Sequence, residues 1–325
     1  MSVRSLRALV GASVLILAGA CGGDDNGSSG PASEATFPAH MVETFGQTGV
    51  LLSEYAVSAM DFGGTNVGLA PGVGPTSAAP AQMLARLTAL ARLQAGATPF
   101  ASAMFSASCT PTTVGAATDT DGDGIPDDLT VTYTAANCTV TDTATGDVQV
   151  ARGVIRYRDT NDNLYGFDLT VSDLRQDSYD ASTDQFEHSV IDVHESAKTT
   201  STGGTWGLAI TAVIRQGVGD TVTFSQDVSY NVTGKLTSNG AIPAGGPMPD
   251  GTLTLGGNVT ATLPTAGHLS VDLVTTTPIH YESTCGGNDS GKMEMRLNGN
   301  AAEGVLVRWI SCGYANWEFL GTGTL

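Results

Sequence analysis

The sequence has few basic side chains and few charged side chains of either sign. Lys and Arg number 14 against 32 Asp and Glu. Charged residues make up 14% of the 325 residues, where an ordinary soluble domain has about 25%. Nucleic-acid binding needs clustered Lys and Arg, so a formal net charge of -18 without a basic block excludes nucleic acid as the main partner. The hydrophobic content of 41% excludes a chain that is disordered throughout.

Several catalytic and metal-binding signatures are also missing. The chain has no G-x-S-x-G, no H-E-x-x-H and no phosphate-binding loop that ends in G-K-[ST]. It has no C-x-x-C pair, which makes a zinc site built from cysteines a poor interpretation. A carboxylate pair for glycoside hydrolysis stays open among the 32 acidic residues, although aromatic residues for sugar stacking are only 6% of the chain.

The first residues have the pattern of a secretory signal. Arg4 and Arg7 precede the apolar stretch 8–20, which is too short to span a bilayer, and small residues lead to Cys21. This segment resembles the signal of bacterial lipoproteins, in which the cysteine is lipidated and becomes the mature N-terminus. The resemblance implies membrane attachment through Cys21 in the cell envelope. Gly22 in the next position implies the outer membrane, on its periplasmic or its surface face.

The composition changes along the chain and divides it into four parts. A signal peptide is expected at 1-20, and a polar Gly, Ser and Asp tether at 21-37. The segment 38-98 contains two helical patterns, Pro38 to Met60 and Ala81 to Leu93, separated by a loop rich in Gly and Pro. From 99 to 325 the pattern is that of an antiparallel β domain.

Period-2 alternation of apolar and polar residues dominates this last part. The clearest strand is Thr221 to Leu236, in which Val, Phe, Tyr and Leu alternate with Thr, Ser, Asp and Asn. Gly153 separates two runs that are out of phase, which predicts a β-bulge. About ten to twelve strands in succession favour antiparallel meander connections, and twisted sheets of this size tend to curl or close. The predicted fold class is mainly β: a large curled antiparallel sheet or open barrel with two N-terminal helices packed on it.

The strongest motif is the acidic run from Asp119 to Asp128. Alternate Asp side chains in a tight loop supply the six to eight oxygen ligands that Ca²⁺ prefers, and Gly124 stands where such loops turn. The expected calcium ligands are Asp119, Asp121, Asp123, the backbone carbonyl of Ile125, and Asp127. The run resembles the calcium loops of thrombospondin type 3 repeats and of dockerins, which implies a structural calcium ion. Thr130 replaces the usual bidentate Glu, so a remote carboxylate is expected to complete the shell.

A second group of polar residues is His188, Asp192 and His194. In a strand from Phe186 to Glu195 these three side chains share one face. Asp192 and His194 would lie about 7 Å apart, whereas His188 and Asp192 would lie about 13 Å apart. A polar outer face is therefore the preferred interpretation, and a shared ion is the alternative. The sequence gives no ligand-like spacing for the other histidines, His40, His268 and His280.

Four cysteines follow Cys21, and an even number in an exported protein predicts disulfides. They are Cys109, Cys138, Cys285 and Cys312. Three pairings are allowed. Cys109–Cys138 and Cys285–Cys312 are preferred because each pair flanks neighbouring strand-like segments.

These features predict a lipid-anchored envelope protein with a structural or interaction role, whose partners are the membrane and an envelope protein. One alternative is a carrier of a hydrophobic ligand, since a curled sheet with an apolar face and a helical cover can enclose a lipid. That alternative rests on analogy between folds. The other alternative is a hydrolase of unknown substrate.

Overall fold

The computed structural model describes residues 39–60, 112–115, 120, 127–160, 166–242, 248–263 and 267–321. Its helix α1 is Ala39–Met60, so the first predicted helix is confirmed to within one residue at its start. This is the one helix in the described part of the chain. The second predicted helix, 81–93, lies outside the described residues, as do the signal and the whole tether.

The described part of the chain beyond α1 forms thirteen β-strands. They are β1 (Thr112–Val114), β2 (Asp128–Tyr133), β3 (Thr139–Thr141), β4 (Val148–Asp159), β5 (Gly166–Asp180), β6 (Gln185–Thr200), β7 (Gly203–Val218), β8 (Thr221–Ser238), β9 (Gly251–Leu263), β10 (Gly267–Glu282), β11 (Gly287–Leu297), β12 (Gly304–Ser311) and β13 (Tyr314–Leu320). All belong to one antiparallel sheet, ordered as in the sequence, with β3 beside β4. The mainly β antiparallel prediction is confirmed. The sheet is open, because β1 and β13 are not paired with each other among the described residues.

Alternation of side chains gives this sheet one buried and one exposed face. In β8, Val228, Tyr230 and Val232 are almost completely buried, whereas Asn231 before Val232 and Thr233 after it are exposed. The same period of two runs through β6 and β7. The buried face supplies the hydrophobic core. The exposed face carries Ser, Asn and Thr side chains on β8 and ion pairs such as Arg156–Asp128 and Arg175–Asp173 near β4 and β5.

The predicted bulge at Gly153 is present in β4. The register between β4 and β5 shifts between Arg152 and Val154, and Gly153 has a φ of 146°. A Cβ atom at this position would lie 2.7 Å from the Cα atom of Leu174 on β5. Both the left-handed backbone and the close strand contact therefore require glycine here.

Gly153→Ala is expected to lower the free energy of unfolding by about 2 kcal/mol, because it adds strain at a positive φ and an overlap with β5. Urea unfolding measures this change. Gly207→Ala is the matched control, since a Cβ atom there would lie 3.5 Å from its nearest neighbour, Ser196 Oγ. Equal stability of the two variants would contradict this reading of the bulge.

The sheet curves around α1. Ser53 contacts Asn288 on β11, and Tyr55 contacts Glu195 on β6. At 3.6 residues per turn, two residues correspond to a rotation of about 200°, so Ser53 and Tyr55 lie on nearly opposite sides of the helix. Gly46 lies against Trp317 on β13. Nine residues of helix rise about 14 Å, whereas β6 and β13 would stand about 34 Å apart in a flat sheet. Two contact points so close together on α1 can reach both strands only if the sheet bends over the helix.

Helix α1 fills part of the concave face. Phe45, Leu52 and Met60 of α1 are at most 1% exposed and pack into the same core as the inward side chains of the sheet. Gly46 and Gly49 allow the closest approach: a Cβ at Gly49 would lie 2.8 Å from Met293 Cε. The absence of side chains at Gly46 and Gly49 therefore lets β11, β12 and β13 pack closely against the helix.

Candidate functional site

The predicted calcium loop is described only at its two ends. Asp119, Asp121, Asp123 and Ile125 lie outside the described residues. Asp127 accepts hydrogen bonds from the backbone N–H of Thr120 at 3.0 Å and from its hydroxyl at 2.7 Å. These bonds bring together the residues on either side of segment 121–126.

An ion pair fixes the strand that follows this loop. Asp128, the first residue of β2, accepts two hydrogen bonds from Arg156 on β4, at 3.0 Å from Nε and 2.6 Å from Nη2. The hydrogen bonds from Arg156 lower the pKa of Asp128, and the charges of Arg156 and Arg158 lower it further. The end of the loop is therefore attached to β4 by both backbone pairing and charge.

His188, Asp192 and His194 lie on the exposed face of β6, as the alternation predicts. Each contacts a different residue of β5, and they do not converge on one point. The contacts are His188 Nδ1 to Asp177 Oδ1 at 2.8 Å, His194 Nε2 to Asp168 Oδ2 at 2.9 Å, and Asp192 Oδ1 to the Asp173 N–H at 2.6 Å. This arrangement supports the polar outer face over a shared ion.

A different cluster forms where β10 turns into β11. His280 Nδ1 lies 2.8 Å from Asp289 Oδ1, and Glu282 completes a group whose ligand atoms all lie within 4.8 Å of one another. All three side chains are half-buried. Sequence spacing alone singled out no ligand set around His280, because Asp289 reaches it from the next strand. The available signal was His280-x-Glu282, since strand residues two apart share a face.

The surroundings of this cluster are rigid. Asp250 Oδ1 accepts hydrogen bonds from the backbone N–H and the hydroxyl of Ser283. These bonds lower the pKa of Asp250, and the nearby charge of His280 lowers it further. Cys285 in the same turn is disulfide-bonded to Cys312, as predicted.

The second predicted disulfide is only partly described. Cys138 is 3% exposed and disulfide-bonded. Cys109, its predicted partner, lies outside the described residues.

A buried carboxyl group lies between α1 and the sheet. Glu195 on β6 is completely buried and accepts hydrogen bonds from Tyr55 OH to Oε2 and from Trp206 Nε1 to Oε1, both at 2.8 Å. Burial raises the pKa of Glu195 to about 7, and the two hydrogen bonds act in the opposite direction. The sequence reasoning missed this residue, although odd-numbered positions place its side chain on the same face of β6 as those of the buried Ile191 and Val193.

A second polar region lies on the inner face near the opposite end of β6. Gln176, Glu187, Ser189 and Gln226 are at most 3% exposed there. Glu187 accepts a hydrogen bond from Gln216 at 2.8 Å. The side-chain amide of Gln226 has no hydrogen-bond partner at either atom. A buried amide is normally satisfied by protein or by ordered water, so this region suits a bound water.

An open groove runs over β12 and β13, beside the last strand of the sheet. Its volume is about 530 Å³, and it is lined by Leu306, Arg308, Ile310, Ala315, Asn316, Trp317 and Glu318. Ile310 and the neighbouring Tyr314 are exposed by 55% and 70%. Arg308 and Glu318 form an ion pair at 3.5 Å across it. The groove therefore combines apolar surface with one charge of each sign.

Comparison with known proteins adds no assignment. No protein-family model matches the chain, and no curated protein and no solved structure matches it. Among the described residues, no helix is long and apolar enough to cross a membrane.

Proposed function

We propose that this protein is an exported bacterial lipoprotein, anchored through Cys21, that presents a calcium-stabilised β domain as an interaction module in the cell envelope. The observation that carries the export step is the Cys285–Cys312 disulfide, because disulfides persist in oxidising compartments outside the cytosol. The signal-like segment 1-20 and the polar tether 21-37 agree with it. The resemblance of segment 1-20 to bacterial lipoprotein signals, with Gly22 after Cys21, leads us to propose the outer membrane, on its periplasmic or surface face.

The interaction role is supported by the distribution of exposed and filled surfaces. The concave face holds α1, whose Phe45, Leu52 and Met60 side chains are buried in the core. The groove on β12 and β13 is open and carries exposed Ile310 and Tyr314. The burial of α1 in part of the concave face, together with the accessible groove, favours contact with an envelope protein over transport of a hydrophobic ligand.

We propose calcium as a structural ion, bound by Asp119, Asp121, Asp123, the carbonyl of Ile125, and Asp127. The hydrogen bonds from Thr120 to Asp127 support this assignment, because they bring together the two ends of the segment that contains Asp121, Asp123 and Ile125. Calcium would also offset the repulsion of several carboxylates in one short loop. The residue that completes the shell is proposed to be a carboxylate from elsewhere in the chain.

Removal of calcium is expected to lower the melting temperature of the full chain by several degrees. Calcium at about 30 to 100 times its dissociation constant stabilises a folded protein by roughly 2 to 3 kcal/mol, and 1 kcal/mol corresponds to about 2 to 4 °C at this size. Scanning calorimetry with CaCl₂ and with EGTA measures the difference.

Asp121→Ala is expected to abolish this difference, because it removes a ligand from the centre of the loop. Asp220→Asn in the β7–β8 turn is the matched control and should keep the full response to EGTA. Identical melting curves of the unmodified chain in CaCl₂ and EGTA would contradict the calcium assignment.

A further inference from the structure

We propose that His280, Glu282 and Asp289 form a second metal site, which binds a divalent transition-metal ion such as Zn²⁺. The site is separate from the proposed calcium loop in sequence and in ligand chemistry. Its three side chains come from β10 and β11, and their ligand atoms lie within 4.8 Å of one another. An imidazole nitrogen with two carboxylates is a donor set that Zn²⁺ and related ions accept readily.

The spacing of the donors suits a single ion. Zn²⁺ binds nitrogen and oxygen at about 2.0 to 2.2 Å, so its ligands stand about 3.0 to 3.4 Å apart in octahedral or tetrahedral geometry. His280 Nδ1 and Asp289 Oδ1 are already 2.8 Å apart. Binding of one ion would require the His280 and Asp289 atoms to separate by a few tenths of an ångström and the widest donor pair to close from at most 4.8 Å.

The tautomer of His280 decides what occupies the space between these two atoms. If Nδ1 carries the proton, it donates to Asp289; if Nε2 carries it, two lone pairs face each other at 2.8 Å. A divalent cation replaces the proton and is attracted by both groups. The contact is therefore a place where a proton and a metal ion compete.

The local charge favours the metal ion. Asp250 adds a third carboxylate beside the β10–β11 turn, where its Oδ1 accepts hydrogen bonds from the backbone N–H and the hydroxyl of Ser283, the residue after Glu282. Among the described residues, no Lys or Arg forms an ion pair with Asp250, Glu282 or Asp289. A divalent ion would offset this concentration of negative charge.

The position of the cluster provides both rigidity and access. Pairing of His280 with Thr252 and Ser290 fixes the backbone on both sides. The disulfide from Cys285 in the adjoining turn restrains the chain between Glu282 and Asp289. The His280 and Asp289 side chains are 30% and 32% exposed, so water or a polar group of a partner can reach the ion. Three protein ligands with open positions are typical of zinc sites that bind a further molecule.

The test is Zn²⁺ titration by calorimetry of the purified full chain in saturating CaCl₂, which keeps the calcium loop occupied. The expected result is one Zn²⁺ per chain, with an affinity about 10-fold or more lower in His280→Ala. His194→Ala is the matched control, because His194 also contacts an aspartate at 2.9 Å but belongs to no three-residue cluster of this kind. Its Zn²⁺ affinity should equal that of the unmodified chain.

Two further variants separate loss of the site from loss of the fold. Glu282→Gln and Asp289→Asn keep side-chain size and should each weaken Zn²⁺ binding, and a melting curve in EDTA shows whether each is folded. Zn²⁺ should raise the melting temperature of the unmodified chain and of His194→Ala, but not that of His280→Ala. Absence of binding at 100 μM Zn²⁺, or equal binding by the unmodified chain and His280→Ala, would overturn the proposal. Neither result depends on whether Cys21 is lipidated or the acidic loop binds calcium.

Discussion

Glu195→Gln is expected to make the protein relatively more stable as the pH rises. In the unmodified chain, Glu195 is completely buried and burial raises its pKa to about 7, against 4.5 for an ordinary Glu. The folded state therefore holds a proton that the unfolded state releases between these two values. This contribution is fully present below pH 4.5 and is lost as the pH rises through 7.

The expected size follows from the width of that window. Each pKa unit corresponds to about 1.4 kcal/mol, so the stability of the unmodified chain relative to Glu195→Gln should fall by about 2 to 3 kcal/mol between pH 5 and pH 8. Gln is a suitable neutral replacement, because its oxygen can accept from Trp206 and its amide can donate to the Tyr55 hydroxyl. Urea unfolding of both proteins across this range measures the difference in their free energies of unfolding. The contributions of other carboxylates are the same in both proteins and cancel in this difference.

Two more substitutions test the same site, one at its partner Tyr55 and one at Glu195 itself. Tyr55→Phe removes a hydrogen bond that lowers the pKa of Glu195, so the loss of stability should start at the same pH but continue to a higher pH and become larger in total. Glu195→Ala leaves Trp206 N–H without its acceptor in a buried cavity and should cost about 3 kcal/mol even at pH 5. A constant difference between the unmodified chain and Glu195→Gln from pH 5 to pH 8 would contradict the buried-carboxyl interpretation.

Replacing both Cys285 and Cys312 by Ser is expected to lower the free energy of unfolding by roughly 3 to 4 kcal/mol. The two residues are separated by 27 positions, and a loop of this length gives about that value in the chain-entropy model. At this chain size the melting temperature should fall by roughly 10 °C. Calorimetry of the double variant measures the effect while the disulfide at Cys138 stays intact.

Dithiothreitol provides the control for this prediction. It should lower the melting temperature of the unmodified chain by more than the double substitution does, because it also reduces the bond at Cys138. An unchanged melting temperature of the double variant would show that the Cys285–Cys312 bond does not hold β10, β11 and β12 together.

Local pattern predicted much of this fold. The strand expected from Thr221 to Leu236 is β8, Thr221–Ser238, and the bulge expected at Gly153 is present. These features depend on neighbouring residues only: alternation decides the face of each side chain, and a phase break marks a bulge. The curvature around α1 was predicted only in general terms, because it depends on the contacts of Gly46 and Tyr55 with strands far along the chain.

The candidate sites show the same limit. The alternation of side chains along β6 is enough to place Glu195 on the buried face of the sheet, but its partner Tyr55 lies 140 residues away. Asp289 meets His280 because a hairpin folds β11 back on β10, and the spacing of nine residues has no meaning without that register. Sites formed by residues of different strands therefore cannot be predicted from sequence motifs until the strand pairing is known.

The central claim is attachment to the envelope through Cys21. Mass spectrometry of the N-terminal peptide of the full chain, purified from the membrane fraction of a Gram-negative host, tests it most directly. We expect a mature chain that begins at Cys21 and carries a diacylglyceryl group, with Cys285 and Cys312 oxidised in the same molecules. Cys21→Ser should lose both the lipid and the membrane association. A mature chain with an unmodified Cys21, or the same fractionation for both proteins, would rule out attachment through Cys21.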